Sequence, residues 1–184
     1  MVDISESYRG SEQPKWIRLT VTRLLDSLPA ELLSGLGTVV LTDAESIGGG
    51  KTQRVHGRKH DRNRCLGFYH ARTQGETAWI ELVVDNIIAR LPRPVSRVQF
   101  ARDIVVSQTL FHEIGHHLDA TLGSAARSQE SAAEDWCRRL SRMHFRKRYW
   151  YLRPAFKAGM MLLVLLRRLT SRLSGPASSG ARTS

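Results

Sequence analysis

Cysteine is scarce in this chain: Cys65 and Cys137 are the only two in 184 residues. That excludes a disulfide framework, which small secreted domains build from four or more cysteines. Both are expected to be ordinary thiols in a reducing compartment. Long apolar runs are missing as well. The uncharged stretch Ala158–Leu166 has nine residues, whereas a membrane-spanning helix needs about 20. Residues Met1–Gln13 carry Asp3, Glu6 and Glu12, with neither the basic start nor the apolar core of a secretory signal. A cytoplasmic protein is expected, with a peripheral place at the membrane left open. Finally, acid is absent from one end. Residues 137–184 hold 12 Arg and Lys and no Asp or Glu. Such a block repels cations and attracts polyanions: nucleic acid, anionic lipid or an acidic protein.

The net charge of +11 is otherwise uneven. Residues 51–75 carry 7 basic and 1 acidic group, while residues 76–136 carry 5 basic and 9 acidic. The length suits one domain with a tail, enough chain to bury a core.

The mildly acidic segment contains Thr109-Leu110-Phe111-His112-Glu113-Ile114-Gly115-His116-His117. Within it lies His-Glu-x-x-His. With 7 His and 9 Glu in the chain, random placement would give this triplet roughly 0.013 times. On a helix, positions i and i+4 share a face, so His112 and His116 can reach one ion. Zinc accepts neutral imidazole, and a catalytic zinc site has three protein ligands and an open position. Glu113 lies where it can accept a proton from water. Leu110, Phe111, Ile114 and Leu118 form an apolar stripe, so this helix is expected to be packed, with Gly115 allowing close approach of a neighbouring backbone.

The motif resembles that of the gluzincins, the thermolysin-like zinc peptidases. That resemblance implies a third ligand from a Glu on a following helix. The candidates here are Glu130 and Glu134, again i and i+4. One carboxylate could bind zinc and the other receive the N–H of a ligand histidine; Glu130 is the preferred ligand and Glu134 the preferred histidine partner. Asp119 is a weaker candidate, three residues past His116 on the same helix. Residues 105–140 also resemble the small intracellular metallopeptidases of the ImmA/IrrE type, in which a Glu precedes a short Ala-rich, aromatic-bearing helix.

The rest of the pattern predicts an α+β, zincin-like fold. Trp16–Leu28 has helical spacing, Ala30–Leu36 is a second short helical stretch stopped by Gly37, and Thr38–Thr42 is a short strand. Ile47–Arg64 reads as a basic, Gly-rich loop. Cys65–Ala71 and Thr77–Val84 read as a hairpin turning near Gln74-Gly75. After Pro92 and Pro94, Ser96 can cap a long helix to about Leu122, stopped by Gly123; a further helix runs from about Arg127 to Arg148. A small mixed sheet of about three strands would then pack on the motif helix, followed by the Glu-bearing helix. In that arrangement an edge strand above the motif helix can hold an extended substrate. Residues 1–153 would form this domain, 154–173 a basic C-terminal helix and 174–184 a disordered tail.

Other features are weaker. Gly48-Gly49-Gly50-Lys51-Thr52 looks like a phosphate loop, but that pattern needs Gly at position 45, where Glu45 stands. His56, His60 and His70 sit in or beside the basic loop and are expected to be solvated or to face a polyanion. His117 falls one turn after Glu113, as a substrate contact, a partner of a ligand or a packing residue. In the C-terminal region, His144–Arg153 interleaves basic and aromatic residues. The run Ala158–Leu166 with Arg167, Arg168 and Arg172 suits a core-packed helix, an in-plane membrane helix or a nucleic-acid contact.

These readings converge on a zinc-dependent peptidase acting on a protein or peptide. His112, His116 and Glu130 would hold Zn2+, Glu113 would be the general base, and His117 or His70 would be candidate donors to the oxyanion. The alternative is a non-catalytic protein stabilised by zinc and recruited to polyanions by residues 137–173.

Overall fold

A computed structural model describes residues 2–10, 13–46, 53–55, 58–60, 65–73, 75–123, 128–152 and 154. Contacts divide the chain into two compact units, Met1–His144 and Phe145–Ser184. The glycine-rich Gly48–Thr52 segment, His56, all but the first residue of the helix expected over 154–173 and the tail 174–184 lie outside the described residues, as does the His60 side chain. The boundaries expected at 153 and 173 fall inside the second unit.

The first unit is α+β. Its elements are β1 (Asp3–Ser7), α1 (Trp16–Asp26), β2 (Leu36–Thr42), β3 (Gln53–Val55), β4 (Arg58–His60), β5 (Gly67–His70), β6 (Ala78–Val83), α2 (Val84–Ala89), α3 (Gln99–Leu122) and α4 (Gln129–Arg148), the last running on into the second unit. The main sheet has four strands in the order β1-β2-β6-β5. The first three are mutually parallel, and β5 returns antiparallel to β6.

The sheet therefore has one strand more than the three expected. The extra strand, Asp-Ile-Ser-Glu-Ser, contains a single apolar residue and escapes a hydrophobic-pattern reading. Its charges suit an edge strand, where they discourage pairing with other chains. The expected loop over 47–64 also contains a short antiparallel ladder, with Gln53 opposite His60 and Val55 opposite Arg58. Ser96 does not cap α3. It lies in a 3-10 turn, Val95–Arg97, where its hydroxyl donates to the Arg93 carbonyl, and α3 starts at Gln99. Ala30–Leu36 is helical only through a 3-10 turn to Leu33, because Leu36 already belongs to β2.

Alternation in the two central strands explains the core. Val39 and Leu41 of β2 pair with Ile80 and Leu82 of β6, and all four are fully buried. On that face they meet Ile17, Val21 and Leu24 of α1 and Val106, Leu110, Phe111 and Ile114 of α3. Apolar residues on α3 recur at helical spacing, so one side of the helix is covered by the sheet and α1. Truncating one of these side chains to Ala costs about 2–5 kcal/mol.

A buried polar cluster joins three helices. Arg23 of α1 pairs with Asp103 of α3, and Asp103 is 3.5 Å from Nε2 of His144 on α4. His144 Nδ1 lies 2.8 Å from the Ser27 hydroxyl, whose own proton goes to the Leu24 carbonyl. Asp103 and His144 are completely buried. Removing one member of such a cluster strands the others, so it fixes α4 against α1 and α3.

Candidate metal centre

Two helices and one strand build the site. On α3, His112 and His116 stand one turn apart with ring centroids separated by 4.8 Å and planes at 89°. Both are partly exposed, while Leu110, Phe111 and Ile114 on the far side are buried.

The approach of α4 depends on Gly115. A methyl group there would lie 2.5 Å from the carbonyl oxygen of Ala133 and 2.8 Å from its Cα. The two backbones touch because both residues are small, and Ala133 is fully buried. That contact sets Glu130, in the first turn of α4, against the histidines. Its Oε1 lies 3.1 Å from His112 Nε2 and its Oε2 lies 3.8 Å from His116 Nε2. Among the described residues, His112, His116 and Glu130 form the one group of three whose ligand atoms converge, all within 4.8 Å of one another.

Glu113 points under the sheet edge instead. It is buried. Gly67 of β5 makes room for it: a methyl group at Gly67 would lie 3.0 Å from Thr109 Cγ2 and 3.1 Å from Glu113 Cγ. Burial pushes the Glu113 carboxyl up to about 8, the charge of Glu130 pushes the same way, and a hydrogen bond from the Tyr69 main-chain N–H opposes both.

His117 is almost wholly buried and is held from two sides. Its Nε2 lies 2.9 Å from the Ser34 carbonyl, so Nε2 carries the proton and donates it. Its Nδ1 is then left to accept from the Tyr69 hydroxyl at 3.4 Å. The Tyr69 and His117 rings meet edge to face at 5.7 Å. His117 thus ties the motif helix to β5 and to the turn before β2.

The remaining candidates lie elsewhere. Glu134 forms an ion pair with Arg138, 3.1 Å away and one turn on, on an exposed stretch of α4. Asp119 is not among the converging ligand atoms. His70 stacks on Trp79 at 3.7 Å and lies 3.4 Å from Glu81. Side chains alternate along a strand, and Gly67 and Tyr69 face α3, so His70 projects from the opposite face of the sheet. That removes it as an oxyanion donor. Cys137 donates its thiol to the Gln108 carbonyl at 3.5 Å, and burial raises its pKa, which suits a structural thiol better than a metal ligand.

Sequence reading missed Tyr69, Gly67 and Ser34. Main-chain hydrogen bonds leave no trace in residue type, so Tyr69 and Ser34 gave no signal. A glycine inside a strand pattern, such as Gly67, is the one available hint of close approach.

No family model matches this chain, and no curated protein or solved structure does.

Proposed function

We propose that this protein is a zinc-dependent peptidase. The observation that carries the reading is the convergence of His112, His116 and Glu130 beside a buried Glu113. Two ligands about 2.0–2.1 Å from a tetrahedral zinc stand about 3.3–3.4 Å apart. The contacts of 3.1 and 3.8 Å from Glu130 to the two imidazoles bracket that value. The donor set, two imidazoles and one carboxylate, is that of a catalytic zinc site. Structural zinc sites are closed by four protein ligands, whereas the Glu130 side chain is 75% exposed. That exposure favours the catalytic reading over a purely structural ion. Gluzincin-like and ImmA/IrrE-like peptidases share this donor logic, and the peptidase reading follows them in reaction class.

Zinc, when bound, would supply Lewis acidity to water and to the scissile carbonyl. The chain's own residues do the rest. Glu113, in its ionised form, accepts the proton of the attacking water and returns it to the leaving amine. The Tyr69 N–H holds that carboxylate in place through the transfer. An extended peptide is the substrate class, because β5 is the edge of its sheet and packs directly on α3.

Hydrolysis of an unfolded protein such as reduced casein tests this. The full chain loaded with zinc should cleave it, and Glu113→Gln should bind zinc equally but lose cleavage, since an amide cannot accept the proton. Equal cleavage by Glu113→Gln, or none by the loaded wild type across a peptide library, would reject the reading.

A further inference from the structure

The peptidase reading leaves the second unit without a task. Its described part begins with the end of α4, where Arg146, Lys147 and Arg148 are exposed one after another. The next turn carries Trp150 and Tyr151, which are 66% and 55% exposed. Single exposed aromatics are ordinary, but two neighbours beside three cations make a patch of defined chemistry. The Trp150 and Tyr151 rings lie 6.5 Å apart and nearly perpendicular, at 88°. The pair therefore offers no continuous flat platform on which successive nucleic-acid bases could stack. Trp and Tyr carry an apolar body with a polar tip, the combination suited to the boundary between acyl chains and water.

We infer that Arg146–Tyr151 is a docking surface for an anionic phospholipid bilayer. The cations draw it to the charged leaflet, and the two aromatics enter the headgroup boundary. Charge complementarity extends through the unit. Residues 145–184 contain no Asp or Glu to repel lipid phosphate. Their sequence includes the uncharged run Ala158–Leu166 between Lys157 and the pair Arg167 and Arg168. A bilayer boundary takes up an apolar run between cations, whereas nucleic acid gains nothing from one. This inference stands apart from the peptidase reading and holds whether or not the chain cleaves peptides.

Co-sedimentation of the full chain with vesicles tests it. Vesicles of phosphatidylcholine containing phosphatidylserine should pellet the protein at 0.1 M salt, and pure phosphatidylcholine vesicles should pellet less. Each cation near an anionic leaflet is worth about fivefold in partitioning, so Arg146→Gln/Lys147→Gln/Arg148→Gln should bind about 100-fold more weakly. At 1 M salt the Debye length falls to about 3 Å, and the binding that remains should drop further in Trp150→Ala/Tyr151→Ala. All five replaced side chains are exposed, so an unchanged melting temperature is the expected control for folding. The inference is overturned if the wild type stays in the supernatant, or if both variants pellet like the wild type. It is also overturned if duplex DNA at equal phosphate concentration strips the protein from the vesicles, because the surface would then belong to nucleic acid.

Discussion

The main-chain N–H of Tyr69 donates to the carboxylate of Glu113, so an edge strand holds the one side chain proposed to move a proton. The same residue reaches His117 with its hydroxyl, 3.4 Å from Nδ1. Strand β5 is therefore pinned to the motif helix at two successive turns of α3, at Glu113 and at His117. The position of Glu113 depends on a strand register that its own sequence neighbours do not specify.

Gly67→Ala tests that dependence. The added methyl group would crowd Thr109 and Glu113 at 3.0 and 3.1 Å and the Glu81 carbonyl at 3.1 Å. These neighbours must give by a few tenths of an ångström, and the Glu113 side chain shifts among them. Hydrolysis should fall about 10–100-fold, the usual cost of a small misplacement. Zinc content should not change, because the groups crowded most closely at Gly67 are Thr109, Glu113 and Glu81, none of them a proposed ligand. Steady-state kinetics together with metal analysis separate the two effects.

Gly115→Ala acts on the proposed ligands instead. The methyl group would meet the Ala133 backbone at 2.5 Å, where no flexible side chain can yield. Separating α3 from α4 should cost about 1–3 kcal/mol of stability. It also carries Glu130 away from the histidines, so zinc should bind at least about 10-fold more weakly. Thermal melts with and without added zinc check this: the zinc-induced rise in melting temperature should shrink.

His117→Ala separates a tether from a ligand. It removes the donor to the Ser34 carbonyl and the acceptor for Tyr69. Water can reach the exposed Ser34 carbonyl and the half-buried Tyr69, so the lost hydrogen bonds should cost about 0.5–1.5 kcal/mol. Zinc should remain at full occupancy. Loss of the metal together with unchanged stability would place His117 among the ligands.

Asp103→Asn tests the support beneath α4. The amide cannot neutralise Arg23, and His144 loses its buried carboxylate. Destabilisation of about 3–5 kcal/mol is expected from urea unfolding. A cost below about 1 kcal/mol would mean that the cluster does not hold the helix.

Much of this was legible in the sequence, for definite physical reasons. His112 and His116 were readable because a helix turns an i, i+4 spacing into a shared face, whereas Glu130 was expected from the gluzincin resemblance, and its i, i+4 neighbour Glu134 pairs with Arg138 instead. The β5–β6 hairpin was readable from alternation and from Gly75, whose positive φ of 94° suits the turn. The fourth strand was not, because Asp3–Ser7 is held by main-chain pairing with β2 and buries little. His70 was not separable from His117 as an oxyanion candidate, since the sheet face that His70 takes follows from strand register. The Asp103–His144 contact joins residues on separate helices, and no local pattern announces it.

The central claim is tested most directly by metal stoichiometry. Zinc should be measured by mass spectrometry on the purified, dialysed full chain and on His116→Ala and Glu130→Ala, each with its circular dichroism recorded. The account predicts close to one zinc per wild-type chain and its loss from both variants, because two remaining ligands hold zinc poorly. Full zinc in a folded His116→Ala variant, or a wild-type chain that takes up none, would contradict it.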